Sequence, residues 1–164
     1  MKSLMRLGRG SVRDTKNRIY KGVGMEKQFD HVAHGDMPHF IIRGQLPSLN
    51  QYLSACARHP LQGASLKKQA IKDIGWCIRA DLKNWHTDNP LIVHYVIYEP
   101  NTKRDKDNVF CMISKCTLDA MQECGVIKND GWKNIVNFTH DFYISKDNAR
   151  IEVYIEELKN ESTD

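Results

Sequence analysis

Apolar positions along the chain first acquire a regular pattern at His39. The run His39-Phe40-Ile41-Ile42-Arg43-Gly44-Gln45-Leu46 predicts a strand, stopped by Pro47. A loop, Pro47-Ser48-Leu49-Asn50, and a short segment to His59-Pro60 follow. From about Ser65 to Trp85, Leu66, Ala70, Ile74, Cys77, Ile78 and Leu82 recur at steps of three and four, which predicts a long amphipathic helix. After Pro90 the β-branched and aromatic run Leu91-Ile92-Val93-His94-Tyr95-Val96-Ile97-Tyr98 predicts a central strand. Glu99 to Lys106 is a polar connection to a second helix, from about Asp107 to Cys124, with Gly125 as its terminator. Asn129-Asp130-Gly131 marks a turn, and strands are expected near 135–144 and 150–158. In the last of these Ile151, Val153 and Ile155 face one way and Glu152, Tyr154 and Glu156 the other. The order of elements predicts a single α/β domain, with a small mixed β-sheet packed by two main helices.

Residues 1–36 break from this pattern. They hold five glycines and no hydrophobic period, and they are expected to form a loosely ordered basic extension to a folded domain over 37–160. The chain of 164 residues is 41% hydrophobic and 27% charged, which suits a globular protein. No apolar run approaches the roughly 20 residues of a membrane span, and there is no signal-peptide core, so no membrane partner and a cytoplasmic location are expected. Five cysteines at irregular spacings, with no CxxC, predict reduced thiols rather than a zinc centre.

The net charge of +4 is unevenly placed. Residues 1–36 carry eight Lys/Arg against four Asp/Glu, enough to account for the whole excess. Between Arg43 and Lys83 seven basic residues stand against Asp73 and Asp81. A basic stretch on an otherwise neutral body suits an anionic polymer, although charge alone is equally met by a solvated helix face.

The chemistry concentrates in Lys103-Arg104-Asp105-Lys106-Asp107-Asn108. Two carboxylates two residues apart at a strand-to-helix junction can converge on one cation, and magnesium accepts one or two carboxylates plus waters and phosphate oxygens. A third acid, Asp130, can return to them if the strand after it pairs beside Leu91–Tyr98. At about 100° per residue, Asn108, Lys115 and Asp119 share one helix face, so Lys115 is displayed where an ammonium could stabilise a phosphate. Singly, each has a plainer role: Asp107 as a helix cap, Asp130 as a turn former, Lys115 as the partner of Asp119 in an exposed pair worth about 0.3 kcal/mol. No GxSxG elbow, P-loop or GxGxxG fingerprint offers a different chemistry.

Arg104-Asp105-Lys106-Asp107-Asn108, then a helix with Lys115 and Asp119-Ala120-Met121, then Gly125-Val126-Ile127-Lys128-Asn129-Asp130, resembles the signature of RusA-family Holliday junction resolvases. Pro47-Ser48-Leu49-Asn50-Gln51-Tyr52 is similar to the family's front loop, and Arg150–Ile155 to its last strand. The segment Lys128–Lys133 resembles the phage and prophage branch. The resemblance implies a homodimeric, Mg²⁺-dependent endodeoxyribonuclease, with Mn²⁺ able to substitute, that nicks four-way DNA junctions symmetrically in recombination and repair. It implies Asp105, Asp107 and Asp130 as catalytic metal ligands, Lys115 as catalytic lysine, and a bacterial or phage-infected cell as the setting. Four extra residues between Asp107 and Lys115, about one helical turn, and Asn129 in place of an aspartate depart from the best-known bacterial member. Asn50, Lys67, Lys68, Lys72, Arg79, Lys103 and Arg104 are the expected DNA contacts. The alternatives are a nuclease for flaps and other branched DNA, and a DNA-binding recombination protein that does not cleave.

Overall fold

A computed structural model describes residues 34–158, so most of the basic extension and the last two residues of the expected 37–160 domain lie outside it. In chain order the elements are β1 (His39–Arg43), α1 (Leu49–Arg58), α2 (Pro60–Asp81), β2 (Leu91–Glu99), α3 (Lys106–Glu123), β3 (Ile135–Ile144) and β4 (Arg150–Glu157). The sheet order is β1-β4-β2-β3. β4 pairs antiparallel with both β1 and β2, whereas β2 and β3 are parallel, so the sheet is mixed and β2 is interior. Parallel neighbours need a crossover, and α3 supplies it.

Alternation along the strands sets the core. Phe40 and Ile42 of β1, Val93, Tyr95 and Ile97 of β2, and Ile151, Val153 and Ile155 of β4 are all buried. The helices cover this face with Ala70, Ile74 and Ile78 from α2 and Val109, Ile113, Ala120 and Met121 from α3. Each fully buried aliphatic side chain of this kind contributes roughly 1.5–3 kcal/mol of transfer free energy.

Besides the two main helices, a third, α1, packs on α2 and α3. The stretch expected to be a short connection forms α1, because Ser48 opens a capping box. The Ser48 hydroxyl accepts from the Gln51 backbone N–H at 3.4 Å, and the Gln51 side-chain oxygen accepts from the Ser48 N–H at 2.8 Å. His59 then ends α1 and caps α2, its Nδ1 accepting from the Leu61 N–H at 3.2 Å with Pro60 at the first helical position. The long helix therefore starts at Pro60 rather than near Ser65. It ends at Asp81 rather than Trp85, since Lys83 turns to φ 56°.

Gly63 is required where α1 meets α2: a Cβ there would collide with the Cys56 sulfur. All five cysteines are free; Cys116 is buried, Cys111 is exposed, and the others lie between. Among the described residues no helix is long and apolar enough to cross a membrane.

Candidate active site

The end of β2 is held by a charged fork. Glu99 and Arg104 face each other across the turn, with Arg104 Nη2 donating to Glu99 Oε1 at 2.6 Å and Nε to Oε2 at 2.9 Å. Arg104 Nη1 also donates to the Leu46 carbonyl at 2.7 Å, and Gln45 Nε2 donates to Glu99 Oε2 at 2.7 Å. The Glu99 side chain is only 8% exposed and that of Arg104 19%, so the pair is largely withdrawn from water. It ties the chain after β1 to the residue that immediately precedes Asp105. Arg104, expected from sequence to touch DNA, is thus engaged inside the fold.

Asp105 is the N-cap of α3 yet makes no side-chain capping bond, and Asp107 lies in the first turn. Both are exposed, and among the described residues neither carboxylate is in an ion pair or hydrogen bond. The capping role that Asp107 could have had is absent. Two carboxylates are therefore presented to solvent beside a helix N-terminus, whose dipole also favours anionic ligands.

A second charged group sits farther along α3. Asp119 is the hub: Lys67 of α2 reaches one carboxylate oxygen and Lys115 the other, both at 2.8 Å. Asp130 approaches the same Lys115 ammonium at 3.6 Å. Partial burial pushes the Asp119 carboxyl up, but hydrogen bonds and charge from the two lysines outweigh it, and the net result is a lowered pKa. Lys115 is raised, chiefly by its hydrogen bond to Asp119. The face shared by Lys115 and Asp119 is as the helical period predicts, and their pairing is real. Lys67, expected on the DNA side, is engaged by Asp119.

The strand after Asp130 does pair beside β2, and Asp130 is placed beside Lys115. α3 runs back from the end of β2, and Asp107 and Asp119 stand twelve residues apart on it, about 18 Å at 1.5 Å per residue. Asp130 meets Lys115, which is eight residues along the helix from Asp107, about 12 Å of axial rise. Among the described residues no group of three or more His, Cys, Asp or Glu side chains could hold a metal ion. Among the described residues Asp130 stands with Lys115 and Asp119, while Asp105 and Asp107 lie at the start of α3.

Of the expected DNA contacts, Asn50, Lys68, Lys72, Arg79 and Lys103 are exposed. Asn50 lies in the first turn of α1 beside a groove that also includes Arg58 and Gln62. Lys68, Lys72 and Arg79 fall within about 40° on α2 at the helical period. Trp76, 64% exposed, is close to that stripe and 6.0 Å from the Arg79 guanidinium, a neighbour that charge counting overlooked.

Comparison with protein-family models gives no match, and comparison with curated proteins gives none either. The donor chemistry of Asp105 and Asp107 fits a hard cation such as Mg²⁺, which needs only one or two carboxylates when water and phosphate oxygens complete the shell.

Proposed function

We propose that the protein is an Mg²⁺-dependent endodeoxyribonuclease that acts as a homodimer and resolves four-way DNA junctions by paired nicks. The observation that carries this reading is the pair of exposed carboxylates, Asp105 and Asp107, at the start of α3, without an ion-pair or hydrogen-bond partner among the described residues. The local likeness of their sequence to RusA-family resolvases supplies the substrate. The cation, when bound there, would polarise the phosphate and lower the pKa of an attacking water. Asp105 and Asp107 would hold it, and the α3 N-terminus would favour the phosphate beside it. Lys68, Lys72, Arg79 and Lys103 would hold DNA backbone, making binding salt-sensitive. Mn²⁺ would substitute, and the setting would be the cytoplasm of a bacterial or phage-infected cell.

Two nicks related by a two-fold axis call for two sites related the same way, which a symmetric dimer provides. The dimer also bears on Asp130. Asp130 meets Lys115, about 12 Å along α3 from Asp107, and we propose that the second copy brings it to Asp105 and Asp107. Mixing Asp107→Asn and Asp130→Asn proteins then restores part of the cleavage that each lacks alone. No recovery would leave Asp130 as the local partner of Lys115.

The reading is tested by incubating the purified protein with a synthetic four-way junction, linear duplex and flap DNA, with Mg²⁺ and with EDTA. The expected result is symmetric nicks in the junction and only with Mg²⁺. Cutting of flaps at an equal rate would replace it by a broader branched-DNA nuclease. Binding without cutting would leave a recombination protein that does not cleave.

A further inference from the structure

Beside Asp107 the fold builds a cavity that the cleavage chemistry does not require. The first two turns of α3 and the neighbouring edge strand β3 enclose about 420 Å³, lined by Lys106, Asp107, Phe110, Cys111, His140 and Phe142. His140 and Phe142 are two residues apart on β3 and so project from the same face. The Phe110 and His140 rings meet edge to face at 4.2 Å, and His140 and Phe142 at 6.0 Å. Phe110 is backed by the buried ring of Tyr95 at 5.3 Å, which fixes its orientation. The Lys106 ammonium stands 5.5 Å from the Phe142 ring. Three aromatic rings are left in contact with solvent, His140 exposed and the two phenylalanines half-buried.

We infer that this cavity receives a nucleobase drawn out of the DNA stack next to the phosphate that is cut. The inference rests on the nuclease reading and deepens it. Flat π-faces of this kind accept any base by stacking, and 420 Å³ lies within the usual range of small-ligand sites. Asp107 is on both the cavity wall and the proposed cation site, so a base held here belongs to a nucleotide at or beside the reacting phosphate. Lys106 is placed at the rim, where an ammonium can meet the backbone. The energy needed to unstack a base is least where pairing and stacking are already interrupted. A crossover offers such a base and an intact duplex does not. The cavity is therefore a device for recognising a branch, working beside the carboxylates rather than through them.

The test uses the full-length protein in EDTA, so that nothing is cut, with four-way junctions carrying 2-aminopurine at each nucleotide flanking the branch. On binding, fluorescence should rise or shift at one such position and not in linear duplex. Phe142→Ala and His140→Ala should abolish that response and weaken junction binding about five-fold or more, with duplex affinity unchanged. Phe110→Ala is less suitable because the ring also packs on Tyr95. Both variants binding and responding like the wild type would overturn the inference. The two readings separate cleanly: junction cutting in Mg²⁺ with no 2-aminopurine response removes the cavity's role alone. A response without cutting keeps the cavity and removes the nuclease. No binding of any DNA removes both.

Discussion

Replacing Arg104 by Met tests what holds the segment that carries Asp105. The change removes two bonds to Glu99, at 2.6 and 2.9 Å, and one to the Leu46 carbonyl, while keeping an apolar stem of similar length. Glu99, whose side chain is 8% exposed, then keeps Gln45 as its one side-chain donor among the described residues. Breaking one side of a buried pair costs about 3–5 kcal/mol. Because Arg104 is one-fifth exposed, the lower end applies, about 3 kcal/mol. With a urea slope of about 2 kcal/mol per molar, the unfolding midpoint falls by about 1.5 M. Removing both charges, as Glu99→Met with Arg104→Met, should recover part of that loss, because no uncompensated carboxylate remains. The assay is equilibrium urea unfolding followed by circular dichroism, with Lys103→Ala as a surface control within about 0.5 kcal/mol of wild type. The reasoning would be refuted by Arg104→Met matching that control, or by the double variant being less stable than Arg104→Met alone.

Other consequences are open to simpler measurements. Gly63→Ala places a Cβ against the Cys56 sulfur and should destabilise by about 1–3 kcal/mol in urea unfolding; adding Cys56→Ala should restore most of it. The Lys67–Asp119–Lys115 group has a defined pH window. The depressed Asp119 pKa gives stability that is present above its ordinary 3.8 and lost as pH falls through the lower folded value. The raised Lys115 pKa gives stability present below 10.5 and lost as pH rises through the higher folded value. Asp119→Ala should therefore cost about 1 kcal/mol near neutrality, with the difference from wild type shrinking at both pH extremes. A constant difference at every pH would contradict the ion pairs. If Lys68, Lys72 and Arg79 meet phosphates, each alanine substitution should lower the slope of log affinity against log salt by about one. Unaltered slopes in filter binding would clear α2 of that role.

Much of the fold can be read from the chain because burial imposes periods. The unbroken apolar run of β2 marks it as a central strand before any coordinates, and the alternation in Arg150–Glu157 marks which side of β4 faces the helices. The three-and-four spacing around Val109, Ile113 and Cys116 places α3 within a residue of its limits. α1 escaped because, of its ten residues, only Ala55 is fully buried. Its signal lay instead in the Ser48–Gln51 capping box. The site was legible in part. The spacing of Lys115 and Asp119 announces their pair, since residues four apart share a helix face. The Glu99–Arg104 fork has no such spacing: it closes across a turn and is visible only once Gln45 and Leu46 are placed beside it. The position of Asp130 beside Lys115 is illegible for a related reason. A turn motif gives the direction in which a chain reverses and says nothing about which end of the preceding helix it faces.

The central claim is that Asp105 and Asp107 hold the cation that cuts branched DNA, and single-turnover cleavage of a four-way junction by Asp107→Asn tests it most directly. The account predicts that this variant binds the junction with affinity close to wild type and yields no nicks in Mg²⁺ over many wild-type half-lives. Nicking at the wild-type rate by a correctly folded Asp107→Asn protein would contradict it.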